Sequence, residues 1–177
     1  LYARRQRQMC IRDRGMTIAE AAQLRGETPE ETIVNLIIED ESRIQCIYFS
    51  MSEENVRKKI KLPWVSFDSD AGSYSDISKD FITHPRAFGS FARVLGKYVR
   101  EEKLISMEEA IRRLSGFPSD NLGVKNRGYL KVGYYADIVV FDPTTIRDKA
   151  TFEDPLQFAE GVEPVSYTHL TLPTSIQ

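Results

Sequence analysis

The sequence has 177 residues, a length that suits one ordinary domain with its own core. Its 41% hydrophobic and 28% charged residues are those of a soluble globular chain, and a net charge of −2 steers it towards neither nucleic acid nor a membrane surface. No apolar run approaches the roughly 20 residues that cross a bilayer.

Two cysteines, Cys10 and Cys46, form neither a disulfide framework nor a Cys-x-x-Cys pair, which fits a reducing cytoplasm. The only two histidines, His84 and His169, lie far apart. A catalytic zinc site takes about three protein ligands, so this chain does not easily assemble one from its own residues.

In chain order, residues 1–14 come first, with five arginines, no helical or alternating period, and no apolar centre of a secretory signal. They read as a basic tail, as a nucleic-acid arm, or, with the closing residues 165–177, as read-through of adapter sequence at the ends of an assembled gene. The last reading is adopted: both ends are treated as non-native, which removes Cys10 and His169 from the functional argument.

Three helix starts carry the Ser/Thr-x-x-Glu capping box, at Thr17/Glu20, Thr28/Glu31 and Ser106/Glu109. Helices are expected over 17–25 and over 29–39, the second with Pro29 in its first turn and a buried stripe of Ile33, Leu36 and Ile37. Residues 43–49, apolar on both faces, suit a strand of a parallel sheet covered by helices. A polar helix over 52–59 and a short apolar strand over 64–67 follow. This order gives an α/β architecture with right-handed crossovers.

Residues 68–85 form a long polar loop of the kind that is often functional. An amphipathic helix is expected over 87–102, with Phe88, Phe91, Leu95 and Val99 at its spacing, then a helix over 106–114 and a turn at 118–122. From Gly128 the text changes, and Ala136 to Phe141 reads as a β-branched strand of a small, mostly β appendage.

Asp70 stands just past the carboxyl end of the 64–67 strand, where reacting groups of α/β barrels gather. A carboxylate there either transfers a proton or merely caps the loop, and Asp68 is open to the same two readings. Arg86, at the far end of the loop, either grips a substrate carboxylate through two parallel hydrogen bonds or pairs with Asp76 or Asp80 to hold the loop shut. His84 stays unassigned.

The stretches YFSMSEENV, PWVSFDSDAGS, HPRAFGSFARVLGKYVREEKLISMEEAIRRLS and NLGVKNRGYLKVGYYADIVVFDPTTIRDKATFEDPLQFAEGV resemble the N-acyl-D-amino-acid deacylase (D-aminoacylase) branch of the amidohydrolase superfamily. The likeness runs from about Gly15 to Glu163. It implies the C-terminal part of a (β/α)8 TIM barrel over 15–122, comprising the last two strands and their helices, and part of a small β-sandwich over 123–164.

The resemblance also implies a zinc-dependent hydrolase that cleaves the amide of N-acyl-D-amino acids, a small-molecule substrate. By it, Asp70 is the general base and acid and a possible metal ligand, directly or through water, and Arg86 holds the substrate's α-carboxylate. The family's His-x-His motif and later ligand histidines are absent from these residues, so the chain alone is expected to be inactive. Two alternatives are a cyclic amidohydrolase (dihydroorotase- or hydantoinase-like) fragment and a non-catalytic structural module.

Overall fold

A short polar side chain placed before a run of helix formers satisfies the free N–H groups of the first turn, and that local rule sets most of the helices seen here. The computed structural model describes residues 2–4, 16–40, 45–72, 83–163, 166–167 and 170–171. Two units are present, Leu1–Met51 with Asp76–His84, and Ser52–Ser75 with Pro85–Gln177.

In the first unit, α1 (Ile18–Arg25) starts at a complete capping box: Thr17 Oγ1 accepts from Glu20 N while the Glu20 carboxylate accepts from Thr17 N at 2.7 Å. Gly26, in the left-handed conformation, ends it. Thr28 and Glu31 repeat the same reciprocal pair at the start of α2 (Pro29–Asp40). Glu27 ties the turn, accepting from Arg25, Thr32 and Asn35.

The stripe that α2 buries matches the expected one only at Leu36. Leu36 packs on Ile18, and Thr32 is fully buried, whereas Ile33 and Ile37 are exposed along with Val34 and Ile38. An eight-residue α1 covers one narrow face of α2, and the remaining apolar face meets no cover among the described residues.

Residues 43–49 give a shorter strand than expected, β2 (Gln45–Ile47), and its partner corrects the expectation of a parallel sheet. It pairs antiparallel with β1 (Tyr2–Arg4), a segment set aside on sequence grounds, with Ala3 opposite Cys46.

In the second unit, α3 (Glu53–Ile60) is capped by Ser52 and bonded to a long helix that starts as α4 (Arg86–Arg93). Arg57 makes a two-bond pair with Glu102 at 2.7 and 2.9 Å, and Glu53 accepts from Lys97 and Tyr98. From Val94 to Glu101 the helix continues with the wider π turn instead of the expected α turn. The wide turn seats Gly96 against the chain at Ile146, whose carbonyl oxygen would lie 2.6 Å from any added Cβ.

Helix α5 (Met107–Leu114) packs across the π-helical segment, and α6 (Gly116–Asn121) occupies the expected turn. Ser106 caps α5, but Glu109 turns to Arg112 rather than back to the cap, so this box is half made. The core is Ala92, Val94, Leu95, Val99, Ala110 and Ile146, flanked by Phe67, Met107, Leu114 and Phe141. Phe91, expected inside, is half exposed on an apolar groove of about 890 Å³ shared with Leu95, Ile111 and Val139.

Neither of the other two expected strands forms. Trp64 lies in a turn closed by the Val65 N–H on Leu62 O, and residues 65–67 run on without a strand partner among the described residues. In 136–141 only isolated bridging is present, at Ile138 and between Phe141 and Val162, with Val139 and Val140 exposed. An extended segment becomes a strand only when a neighbour accepts its N–H groups and donates to its carbonyls over several residues. Beside 136–141 this exchange is limited to short contacts such as that with 161–163, where the Glu163 N–H donates to Val140 O, and beside 65–67 the described residues offer none. The two remaining short strands, β3 (Ser166–Tyr167) and β4 (Leu170–Thr171), pair antiparallel with each other. No helix among the described residues is long and apolar enough to cross a membrane.

Candidate functional site

The segment that follows α3 alternates in burial: Val65, Phe67 and Ser69 turn inward by degrees, while Ser66, Asp68 and Asp70 face out. Phe67 anchors it against the core. Three residues later Asp70 adopts a left-handed backbone with φ of 47°, a conformation that side chains other than glycine seldom take outside turns and functional sites. Its carboxylate projects into solvent, 83% exposed, where Oδ2 meets Arg86 Nη2 at 2.9 Å.

Arg86 reaches this point from the first residue of α4. A cation at a helix N-terminus faces the positive end of the helix dipole, so the neighbouring carboxylate relieves an unfavourable placement. The structure thus brings Asp70 and Arg86 together, one from each end of the long loop. The alternative partners for Arg86, Asp76 and Asp80, lie outside the described residues, as do Cys10 and His169.

Asp68 Oδ1 accepts the neighbouring Ser69 N–H at 2.7 Å. His84 falls in the other unit, where it is half-buried. A metal ion needs several convergent ligands, and among the described residues no group of three or more His, Cys, Asp or Glu side chains is placed to hold one. Asp70 can offer one carboxylate to a cation but not a coordination sphere.

Burial pushes Glu53 up, but hydrogen bonds from Lys97 and Tyr98 outweigh it and hold this carboxyl below the usual value. Burial raises the Tyr98 hydroxyl and lowers Arg113.

Arg113 is the residue that sequence reasoning missed. It is fully buried and donates to the carbonyls of Ile60 and Val65, the segment that leads to Asp70. The available signal was its position three residues after Ala110, on the inward stripe of a helix whose other charges face out.

The chain matches the amidohydrolase family over residues 6–168. It is 40% identical over 120 residues to an N-acyl-D-glutamate deacylase from Alcaligenes xylosoxydans xylosoxydans, covering 68% of this chain and 24% of that protein. A D-aminoacylase of the same organism is 35% identical over 151 residues, covering 85% and 29%.

Among solved structures, the chain resembles the N-acyl-D-glutamate deacylase of Bordetella bronchiseptica, crystallised with zinc and a phosphonate mimic of the tetrahedral intermediate. The TM-score is 0.77 at 33% identity, over 88% of this chain and 31% of that one. Likeness to a Lactobacillus gasseri dihydroorotase is confined to 53 residues, 30% of the chain. The chain therefore spans a quarter to a third of the length of the deacylases it matches.

Proposed function

The chain belongs to the amidohydrolase family, and on that premise we propose that it is the portion of an N-acyl-D-amino-acid deacylase that supplies the proton-transfer aspartate and the substrate-gripping arginine. The observation that carries this reading is the meeting of Asp70 and Arg86 at 2.9 Å, from the two ends of one loop, in a chain that is similar to deacylases. In this reading, residues 15–122 are part of a (β/α)8 barrel, comprising its last two strands and their helices. Residues 123–164 are part of a small β-sandwich, and 1–14 and 165–177 are foreign ends. The apolar surface left on α2 and on 138–140 fits such a piece, since barrel and sandwich strands would cover it.

Hydrolysis divides between the two side chains. Arg86 holds the substrate's α-carboxylate through parallel N–H···O bonds, which fixes the amide in one orientation. An arriving carboxylate exchanges for Asp70 on Arg86 and leaves Asp70 to act. Asp70 accepts a proton from the attacking water, whose oxygen bonds to the acyl carbon. When the C–N bond breaks, Asp70 returns the proton to the departing nitrogen, giving a carboxylate and a D-amino acid.

Zinc, when bound, lowers the pKa of its water to about 7 and so makes hydroxide available. In this proposal its remaining ligands lie in the rest of a longer, cytoplasmic protein, and the 177-residue chain by itself neither holds zinc tightly nor turns over substrate.

The test is a substrate panel. The full-length protein, loaded with zinc, should hydrolyse N-acetyl-D-glutamate, N-acetyl-D-aspartate or N-acetyl-D-leucine and leave their L-forms and dihydroorotate intact. Turnover of dihydroorotate in preference to every linear amide would replace this reading with the cyclic-amide one. Zinc-dependent turnover by the 177-residue chain alone would contradict the division of labour.

A further inference from the structure

Two successive arginines of α5 hold the segment that ends in Asp70. Arg113 Nε donates to Val65 O at 2.5 Å and Nη1 to Ile60 O at 2.6 Å, and its guanidinium carbon stands 4.5 Å from the centre of the Phe67 ring. Arg112 Nη2 donates to Pro63 O at 3.1 Å. Ile60, Pro63 and Val65 thus give their carbonyls to side chains, although carbonyls of this kind ordinarily serve a neighbouring strand.

As a space-filler Arg113 is a poor choice. Its side chain is fully buried with no ion-pair partner among the described residues, and Nη2 is left without an acceptor. A methionine would occupy much of the same volume without stranding a donor or burying a cation. What the guanidinium adds is direction, because two in-plane bonds and one stacked ring leave the segment a single placement. Lysine, a point donor on a flexible stem, cannot reproduce that fork.

We propose that Arg113 is a positioning residue of the deacylase site, fixing residues 60–67 so that Asp70 is presented in line with Arg86. The assignment rests on the function proposed above, since it is that function which gives Asp70 a proton to carry. Asp70 begins only three residues beyond Phe67, so slack at Val65 and Phe67 passes directly to its carboxylate.

Two measurements test it, and they fail separately. In the full-length protein, Arg113→Lys should lower kcat about 10–100-fold with KM changed less than about threefold, as expected when a reacting group is misplaced by about an ångström. Ile18→Ala, a core change in the other unit, serves as the control and should lower Tm while leaving kcat within about twofold. In the 177-residue chain, time-resolved anisotropy of Trp64, the sole tryptophan, should show the fast local motion increased about twofold in Arg113→Lys and in Arg113→Met.

Unchanged Trp64 motion in Arg113→Lys would overturn the positioning role, as would a kcat within twofold of wild type. If the wild-type full-length protein hydrolyses no N-acyl-D-amino acid, the proposed function fails, and the anisotropy alone decides whether Arg113 holds the segment.

Discussion

Replacing Asp70 by glycine separates a residue kept for chemistry from one kept for the turn. With φ at 47° the backbone is left-handed, which costs a side-chain-bearing residue roughly 1 kcal/mol relative to glycine. Asp70→Gly removes that strain. It also removes an ion pair whose side chains are 83% and 44% exposed, and pairs that open to water contribute about 0.5 kcal/mol. Glycine adds freedom to the unfolded chain, worth roughly 0.5–1 kcal/mol against folding.

These effects nearly cancel, so the variant should unfold within about 1 kcal/mol of wild type. Asp70→Ala keeps the strained backbone and loses the pair, and should be destabilised by roughly 0.5–1 kcal/mol. Urea unfolding of the 177-residue chain, followed by Trp64 fluorescence six residues away, measures both. A loss of more than about 2 kcal/mol in Asp70→Gly would refute the reasoning, because that is the scale of a lost structural cap and would return Asp70 to the capping role.

Two other outcomes follow from the packing. Ile146 is 1% exposed at the centre of the core, and Ile146→Ala should lower the stability of the second unit by about 2–5 kcal/mol, read in the same titration. The Glu53 carboxyl is held below its ordinary value of 4.5 in the folded chain, so its contribution is complete above that pH and is lost as pH falls through the lower folded value. Thermal melts of wild type should therefore decline below about pH 4.5, and Glu53→Gln should start less stable at pH 7 and decline less steeply. Parallel curves for the two proteins would show that the bonds from Lys97 and Tyr98 are not what lowers this group.

The helices were legible because their causes are local. Thr17 and Glu20, or Thr28 and Glu31, specify a helix start within four residues, and the structure forms both boxes in full. Which face a helix buries depends on what lies against it, and so the expected stripe on α2 held only at Leu36: Ile33 and Ile37 have the right period but are exposed, and Thr32 is covered instead.

Strands were the least legible, since Val65 or Val139 becomes part of a sheet only through a partner distant in sequence. At the site, composition and spacing left Asp70 and Arg86 open between chemical and structural roles. Family resemblance chose between them, and the ion pair now shows the two residues meeting. Asp68 carried the same sequence signal, and its carboxylate accepts the neighbouring Ser69 N–H. Arg113 was readable only as a charge on an apolar stripe, a mark that does not say which carbonyls it will hold.

The most direct measurement is steady-state hydrolysis of an N-acetyl-D-amino acid by the full-length protein carrying Asp70→Asn, with bound zinc quantified alongside. An amide of nearly the same shape cannot take up and return the proton. The account predicts a kcat lower by about 10²–10⁴-fold with the fold intact. A kcat within tenfold of wild type, at equal zinc content, would contradict it.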